Sequence, residues 1–411
     1  MLQSVNRRSR GQRSLSSGDF DSTLAFICRR NPQIIPGQAA TKDSELFSLR
    51  GASGNIIASS MISGTCRFMK ALKYLNLPFW ILGIAGADKS LRNNPVLGSP
   101  YLNRLGLHRT RVSVAAKMAE ARRARLAPSV SESDRRFFDE NGYFVTEDFL
   151  PKEDFEALRK AAYEERFEAR EMRQGEAVTR MVPLPPRVQD RHPAVARALR
   201  DPRALAQIRY AASQGGEPIS FFQTVIVEPS GQKDPQSNVH SDTFHATSKA
   251  WLFLEDVREE DGPFCFVPGS HRLTPERLNW QYQCSLSAAT DPDSHHASGS
   301  FRIRPEELTA LNLRQPVRMA VRANTLIVAD TFAFHGRTPS DKPTIRCELH
   351  WHMRRNPFLP WTGLDPKSLP GIRGRELELF MAVSDAKERY LNKPHIWRPV
   401  GAVAVNAPAH I

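Results

Sequence analysis

The chain contains no Cys-x-x-Cys pair. Its five cysteines, Cys28, Cys66, Cys265, Cys284 and Cys347, leave one thiol over from any pairing. This spacing excludes a cysteine-built zinc site and argues against a secreted disulfide framework, so a reducing, cytoplasmic compartment is expected. Acid is missing from the first 17 residues, which are rich in Arg and Ser. That is the composition of an organelle transit peptide or of a flexible tail, and both readings stand open. Also absent is an apolar run of the ~20 residues needed to span a bilayer. The most apolar stretch, 72–87, is interrupted by Lys73, Asn76 and Pro78.

With 40% apolar and 25% charged residues, the composition is that of an ordinary globular protein, and collagen-like or wholly disordered chains are excluded. The net charge of +13 is unevenly placed. Residues 1–130 hold 20 Lys+Arg against 6 Asp+Glu, whereas residues 131–411 hold 37 against 38. Three regions follow: a basic N-terminal extension (1–130), a core with supporting helices (131–355) and a C-terminal extension (356–411). A basic front end on a neutral body suggests an anionic partner. Residues 72–125 fit a membrane surface, because Leu77-Pro78-Phe79-Trp80-Ile81-Leu82 precedes Arg104, Arg109, Arg111, Lys117, Arg122, Arg123 and Arg125. Packing of the apolar part on the core is the weightier alternative. Nucleic acid is not an expected partner, since neither zinc-finger ligands nor a groove-reading motif is present. The oligomeric state is left open.

Alanine-rich residues 112–127, followed by Pro128, read as a helix, and 128–133 as a linker. A second helix is expected from Pro151, with Glu153 and Asp154 in its first turn and Phe155, Leu158 and Ala162 on one face. From residue 219 the texture changes to short β-rich runs at 219–227, 249–257, 264–267, 317–321, 325–328 and 345–352, the pattern of a small barrel or jelly roll. Residues 285–300, rich in Ser, Ala, Asp and His, read as an exposed insertion near the barrel mouth with His295 and His296 solvated. Residues 374–391 read as a helix packing on the barrel or on another copy of it.

His240, Ser241 and Asp242 follow one apolar run, and His335 follows another. In extended chain, residues two apart share a face, so His240 and Asp242 can grip one ion while Ser241 points away. Two imidazoles and a carboxylate are the protein ligands of the facial triad that holds non-heme Fe(II) with positions open for substrate and O2. The 12 His and 44 acids of the chain produce roughly one His-x-Asp/Glu by chance. The weight therefore comes from the flanking strands 221–227 and 250–254, the frame a rigid site needs. The competing reading is a hydrogen-bonded structural histidine.

Further motifs accompany this pair: Asn141-Gly142-Tyr143-Phe144-Val145, Phe149-Leu150-Pro151, Trp251 to Asp256, Asp261-Gly262-Pro263, Val267-Pro268-Gly269-Ser270-His271, and Phe334-His335-Gly336 with Arg346. Together they make residues 141–353 resemble the phytanoyl-CoA dioxygenase family of Fe(II)/2-oxoglutarate oxygenases. The resemblance implies an α+β fold: a double-stranded β-helix (jelly-roll, cupin-like) core with flanking helices, here carrying a basic, partly helical N-terminal extension. It implies His240, Asp242 and His335 as iron ligands, and Arg346, eleven residues after His335, as the partner of the distal carboxylate of 2-oxoglutarate. The chemistry suits that role, since a guanidinium stays charged and pairs its hydrogen bonds to a carboxylate. Trp251, with Gln223 or Thr224, is expected beside the cosubstrate. Arg187 is a further basic candidate there, with Arg180 competing.

One departure stands out: the family commonly has a small hydroxyl residue after His-Gly, and this chain has Arg337 followed by Thr338. Arg337 is then free to meet an anionic substrate, or Thr338 to take over the hydroxyl's contact. Asp242 is kept, whereas a halogenating relative would have a small residue there. The implied reaction consumes 2-oxoglutarate and O2, releases succinate and CO2, and hydroxylates a small-molecule or lipid-like substrate. His350 and His352 share a strand face with Arg346 by period two and are candidates for the substrate side. A non-catalytic metal- or 2-oxoglutarate-binding sensor is the alternative.

Overall fold

A computed structural model describes residues 76–411. The Arg/Ser-rich start, Cys28, Cys66 and the first residues of the apolar stretch 72–87 lie outside the described residues. Eleven strands run among the described residues: β1 Tyr143–Thr146, β2 Phe167–Gln174, β3 Ala177–Pro183, β4 Ile219–Val227, β5 Ser248–Phe253, β6 Phe264–Phe266, β7 Val317–Arg318, β8 Leu326–Asp330, β9 His335–Arg337, β10 Thr344–Met353 and β11 Arg398–Val403. Eight form an antiparallel sheet in the order β1-β8-β5-β10-β4-β3-β2-β11, and three form a smaller sheet, β7-β6-β9. Tyr143, Trp251, Phe253, Phe264, Phe266 and Ile327 pack between the two sheets as the core of a jelly roll.

The strand that organises the site is β10. Its sequence Arg346-Cys347-Glu348-Leu349-His350-Trp351-His352-Met353 alternates polar and apolar residues, and the two sets point to opposite faces. Cys347, Leu349, Trp351 and Met353 join a large cluster beneath helices that supply Leu158, Val195, Ile208 and Ala211. The polar set faces the space between the sheets, where an ordinary sandwich would be apolar. The helix expected from Pro151 spans Lys152–Tyr163, with Pro151 as its N-cap and Phe155, Leu158 and Ala162 buried on the sheet.

The six expected β runs all contain strand, and 219–227 coincides with β4. Strands β1, β2, β3, β9 and β11 lie outside those runs. In β2 and β3 the cause is charge inside: Glu171 and Arg180 are fully buried against each other, with Arg180 Nε donating to Glu171 Oε1 at 2.9 Å. Arg180 Nη1 also donates to the carbonyls of Ala404, Val405 and Ala407, which ties down the C-terminal segment.

Residues 285–300 are not an exposed insertion. They comprise the end of helix Pro275–Ser287, a 3-10 turn and the short helix Ser294–Ala297. Asp293 caps this short helix through His295 and His296 N–H. His295 is buried, which pushes its pKa down to about 4, and His296 lies 4.8 Å from the Phe301 ring. The polar composition here serves caps and packing against the N-terminal region, where Asn103 Nδ2 donates to Ser285 O and Arg92 N to Ala297 O.

The helix expected at 112–127 spans Leu107–Leu126. Three of its cations are consumed internally. Arg122 donates to the carbonyls of Ser213, Pro357 and Leu359, Arg111 to those of Ile84 and Asp88, and Arg123 pairs with Asp330 at 2.7 Å. The basic run is thus partly a clamp onto the core. The apolar residues before it do the reverse of packing inward: in helix Leu77–Leu82, Leu77, Phe79, Ile81 and Leu82 are 38 to 67% exposed. No helix among the described residues is long and apolar enough to cross a membrane.

Candidate metal centre and cosubstrate pocket

His240 reaches the site through a backbone bridge to β9, its N–H and C=O each bonding His335 at 2.8 Å. This pairing sets the imidazoles 4.7 Å apart, centroid to centroid. Asp242 Oδ1 lies 3.7 Å from His240 Nε2 and 3.6 Å from His335 Nε2. One ligand atom from each of the three falls within 4.8 Å of the others.

Each imidazole is oriented from behind: His240 Nδ1 donates to Asn238 O at 2.7 Å and His335 Nδ1 to Ala333 O at 2.9 Å. That leaves the Nε2 lone pairs facing Asp242, as metal-ligating histidines require. Burial, with His335 and Arg302 nearby, holds His240 well below its usual pKa and keeps its imidazole neutral, the form that metal coordination requires. Burial works against ionisation of Asp242, but Lys249 and the two imidazoles outweigh it and hold the carboxyl well below its ordinary range. Lys249 Nζ takes Asp242 Oδ2 at 2.8 Å while Oδ1 faces the histidines.

These atoms suit a divalent metal. The buried Nε2 of His335 has no hydrogen-bond partner, a cost that a structural histidine would be expected to avoid and that a coordinated cation removes. Nitrogen and carboxylate donors on one side, without thiolate, match the facial iron triad.

The two imidazoles of the triad, His240 and His335, line a cavity of about 310 Å³, within the range of small-molecule sites. Arg346, Gln223, Trp251, His350 and His352 line it, as does Arg337, whose Nη1 pairs with Asp234 at 2.9 Å. Trp251 sits opposite His350 in the β5/β10 register, 4.5 Å from the Phe264 ring. Arg346 is 8% exposed and donates Nη1 to Gly262 O at 2.7 Å, while its Nε is buried without a hydrogen-bond partner. A buried guanidinium with an unused donor facing a cavity suits a carboxylate ligand.

Four candidates, Thr224, Arg187 with its competitor Arg180, and Thr338, are not brought to this cavity. Thr224 faces the helices and donates to Val405 O at 2.7 Å, because its neighbour Gln223 takes the inward position and period two allows one of them only. Arg187 is 62% exposed and pairs with Glu378 outside the pocket. Thr338 Oγ1 donates to Pro263 O at 2.8 Å. Arg180, its competitor, is spent on Glu171.

Lys249 and Glu348 are polar pocket residues that the sequence reading did not name. Lys249 lies two before Trp251 and Glu348 two after Arg346, so the periodicity that placed their neighbours also places them. The C-terminal helix Glu376–Leu391 supplies Phe380 to the pocket, with Trp397 beyond it, and packs with Met172, Met181, Ile219 and Phe221.

A jelly roll that presents a His-x-Asp…His triad in its interior beside a buried arginine is the architecture of an iron- and 2-oxoglutarate-dependent oxygenase. Residues 138–310 match the family model described as phytanoyl-CoA dioxygenase (PhyH), which takes in His240, Asp242 and Trp251 but ends before His335 and Arg346. Over these residues the chain is similar to that family, and together with the triad this makes the protein a 2-oxoglutarate-dependent oxygenase that uses iron.

Comparison with curated proteins finds no match. Among solved structures, the chain is similar to the epimerase SnoN in complex with Fe3+, alpha ketoglutarate and nogalamycin RO, at 21% identity, 57% of this chain, 92% of that one and TM-score 0.35. HygX from Streptomyces hygroscopicus with nickel, 2-oxoglutarate and hygromycin B aligns at 17% identity over 59% and 94% with TM-score 0.34. EctD from S. alaskensis with 2-oxoglutarate and 5-hydroxyectoine aligns at 18% over 55% and 76% with TM-score 0.33. Likenesses this distant say nothing about the substrate.

Proposed function

We propose that the protein hydroxylates a C–H bond of a small-molecule or lipid-like substrate, with His240, Asp242 and His335 as the iron ligands and Arg346 holding the distal carboxylate of 2-oxoglutarate. The observation that carries this reading is the convergence of a triad and a buried arginine with an unused donor on one cavity. Bound iron, with 2-oxoglutarate and O2, supplies the oxidation that releases succinate and CO2.

The chain's residues supply the rest. The backbone bridge between His240 and His335 fixes the two imidazoles, and Lys249 fixes the carboxylate. Trp251, Phe264 and Phe221 give the cavity apolar walls that exclude water from the reacting centre. Phe380, Ile396 and Trp397 cover it from the C-terminal side and favour an apolar substrate body. With Fe(II), ascorbate and 2-oxoglutarate, the protein is expected to form succinate slowly without substrate and faster with a cognate one. Succinate formation indistinguishable from a metal-free control, at every substrate tried, would favour the sensor alternative.

We also propose that the N-terminal region touches an anionic membrane surface. Leu77, Phe79, Ile81 and Leu82 are exposed on one short helix, and Tyr101 and Leu105 are exposed beside Arg104 and Arg109. Aromatics and cations both sit favourably at such an interface. Full-length protein should sediment with phosphatidylserine vesicles and less with neutral ones, and the Ile81→Glu/Leu82→Glu variant should lose this difference. Equal recovery of wild type and variant in both lipid pellets would dismiss the idea.

A further inference from the structure

Beside the proposed cosubstrate arginine stands an acid that the reaction does not explain. Glu348 is two residues beyond Arg346 on the inner face of β10 and is 1% exposed. Its Oε1 accepts from Gln223 Nε2 at 2.7 Å, directly across the β4/β10 register. Its Oε2 lies 3.4 Å from Arg346 Nε, but neither of those two atoms has a hydrogen-bond partner. The two atoms form a loose ion pair without hydrogen-bond geometry, and both residues line one cavity. Buried groups seldom remain unpaired in a complete site.

The charges make the arrangement more specific. Around Glu348 stand Arg346 and His350 from its own strand, Gln223 opposite it on β4 with Val225 beyond, Phe253 opposite it on β5, and Arg337 from β9, already paired to Asp234, while Lys249 lies further along β5 opposite His352. Asp261, next to Gly262, acts on Arg346 from further out and is held by Lys342 at 3.0 Å. A carboxylate arriving at Arg346 would put two negative charges on one guanidinium in a dry pocket, an arrangement in which both carboxyls do not stay ionised. Burial already raises the pKa of Glu348 above its ordinary value, against the pull of Arg346, Gln223 and Arg337.

We propose that Glu348 is a second binding residue for the distal carboxylate of 2-oxoglutarate, taking up one proton from solvent as the cosubstrate enters and donating it in a hydrogen bond to the carboxylate that Arg346 holds. No other bond forms or breaks, and the proton returns to solvent when the product leaves. This rests on the cosubstrate reading of Arg346. It makes affinity for 2-oxoglutarate proton-linked. Below the free-state pKa of Glu348 the acid is already protonated and affinity is flat. Above it, each pH unit weakens binding by up to about tenfold, until the bound-state pKa is passed.

The test is anaerobic calorimetry of 2-oxoglutarate binding to the full-length Fe(II)-loaded protein, from pH 6 to 9, in buffers of different ionisation enthalpy. Wild type should take up close to one proton per 2-oxoglutarate in the upper part of this range, and its Kd should rise with pH. Glu348→Gln keeps a hydrogen-bond donor without the charge, so it should bind with no proton uptake and a flat Kd. Tight binding by wild type with neither uptake nor pH dependence would overturn the role of Glu348 and leave the cosubstrate pocket standing. Unchanged proton uptake in Glu348→Gln would assign the proton elsewhere and overturn it equally. Absence of 2-oxoglutarate binding at every pH would instead bring down the cosubstrate reading on which the proposal rests.

Discussion

His335→Ala is expected to lose Fe(II) and, with it, succinate formation. Removing outer support of a metal ligand already costs about 10–100-fold in affinity or activity, so loss of a ligand itself should cost at least about 100-fold in both. The structure makes this substitution informative because of what else His335 touches. Its Nδ1 bonds one carbonyl, Ala333 O, and its backbone pairs with His240 whatever the side chain. A histidine serving packing alone would, when replaced, lower thermal stability and leave iron affinity as it was. The account predicts the opposite split: a fold that still melts cooperatively, iron affinity lost, and activity not restored by excess 2-oxoglutarate. Equilibrium dialysis with Fe(II) beside a thermal melt reads both.

Arg346→Ala is expected to strike the cosubstrate rather than the metal. Truncating one partner of a buried charge-assisted pair costs about 2–3 kcal/mol at the lower end of measured cases, or roughly 30- to 150-fold in affinity. That loss should appear as a raised KM for 2-oxoglutarate, with Fe(II) affinity changed little because Arg346 meets none of the three ligands. Arg346→Lys should recover only part of it, since an ammonium cannot match the paired geometry of a guanidinium. Equal losses of iron and 2-oxoglutarate binding in Arg346→Ala would mean that the side chain supports the fold instead.

Much of this site was legible in the sequence because it is written in period two. Arg346, His350 and His352 share a face of β10 for that reason and line one cavity with His240 and His335, and Asp242, two residues after His240, brings its carboxylate to the same pair of imidazoles. The same rule held Lys249 and Glu348, yet a charged residue in a strand reads as solvent-facing until the interior is known to be polar. Gln223 and Thr224 could not be separated from sequence, since the choice between them needs the register with β10. Arg187 and Arg180 were attractive only as cations. One is spent at the surface on Glu378 and the other in the core on Glu171, and only tertiary contact assigns partners. The stretch 285–300 failed for a related reason. Its Ser, Asp and His residues form caps and buried contacts under residues 89–103, and composition alone cannot distinguish these from solvated groups.

The N-terminal region shows how charge counts mislead about surfaces. Of the seven cations from Arg104 to Arg125, Arg111, Arg122 and Arg123 bind carbonyls or Asp330 and hold helix Leu107–Leu126 to the core. The excess left to meet an anionic partner is smaller than the sequence suggests. Lys89 extends the clamp to the site itself, donating to the backbone oxygen of Asp242 at 2.7 Å. The position of Asp242, the proposed carboxylate ligand, therefore depends on the region before the family-matched segment as well as on the barrel.

The most direct test of the central claim is an anaerobic titration of the full-length protein with Fe(II) and 2-oxoglutarate, read by visible absorption. A weak metal-to-ligand charge-transfer band should appear only when both are present, saturate at one iron per chain, and be absent in His335→Ala. Iron bound with no band on adding 2-oxoglutarate, or a band that persists in His335→Ala, would contradict the account.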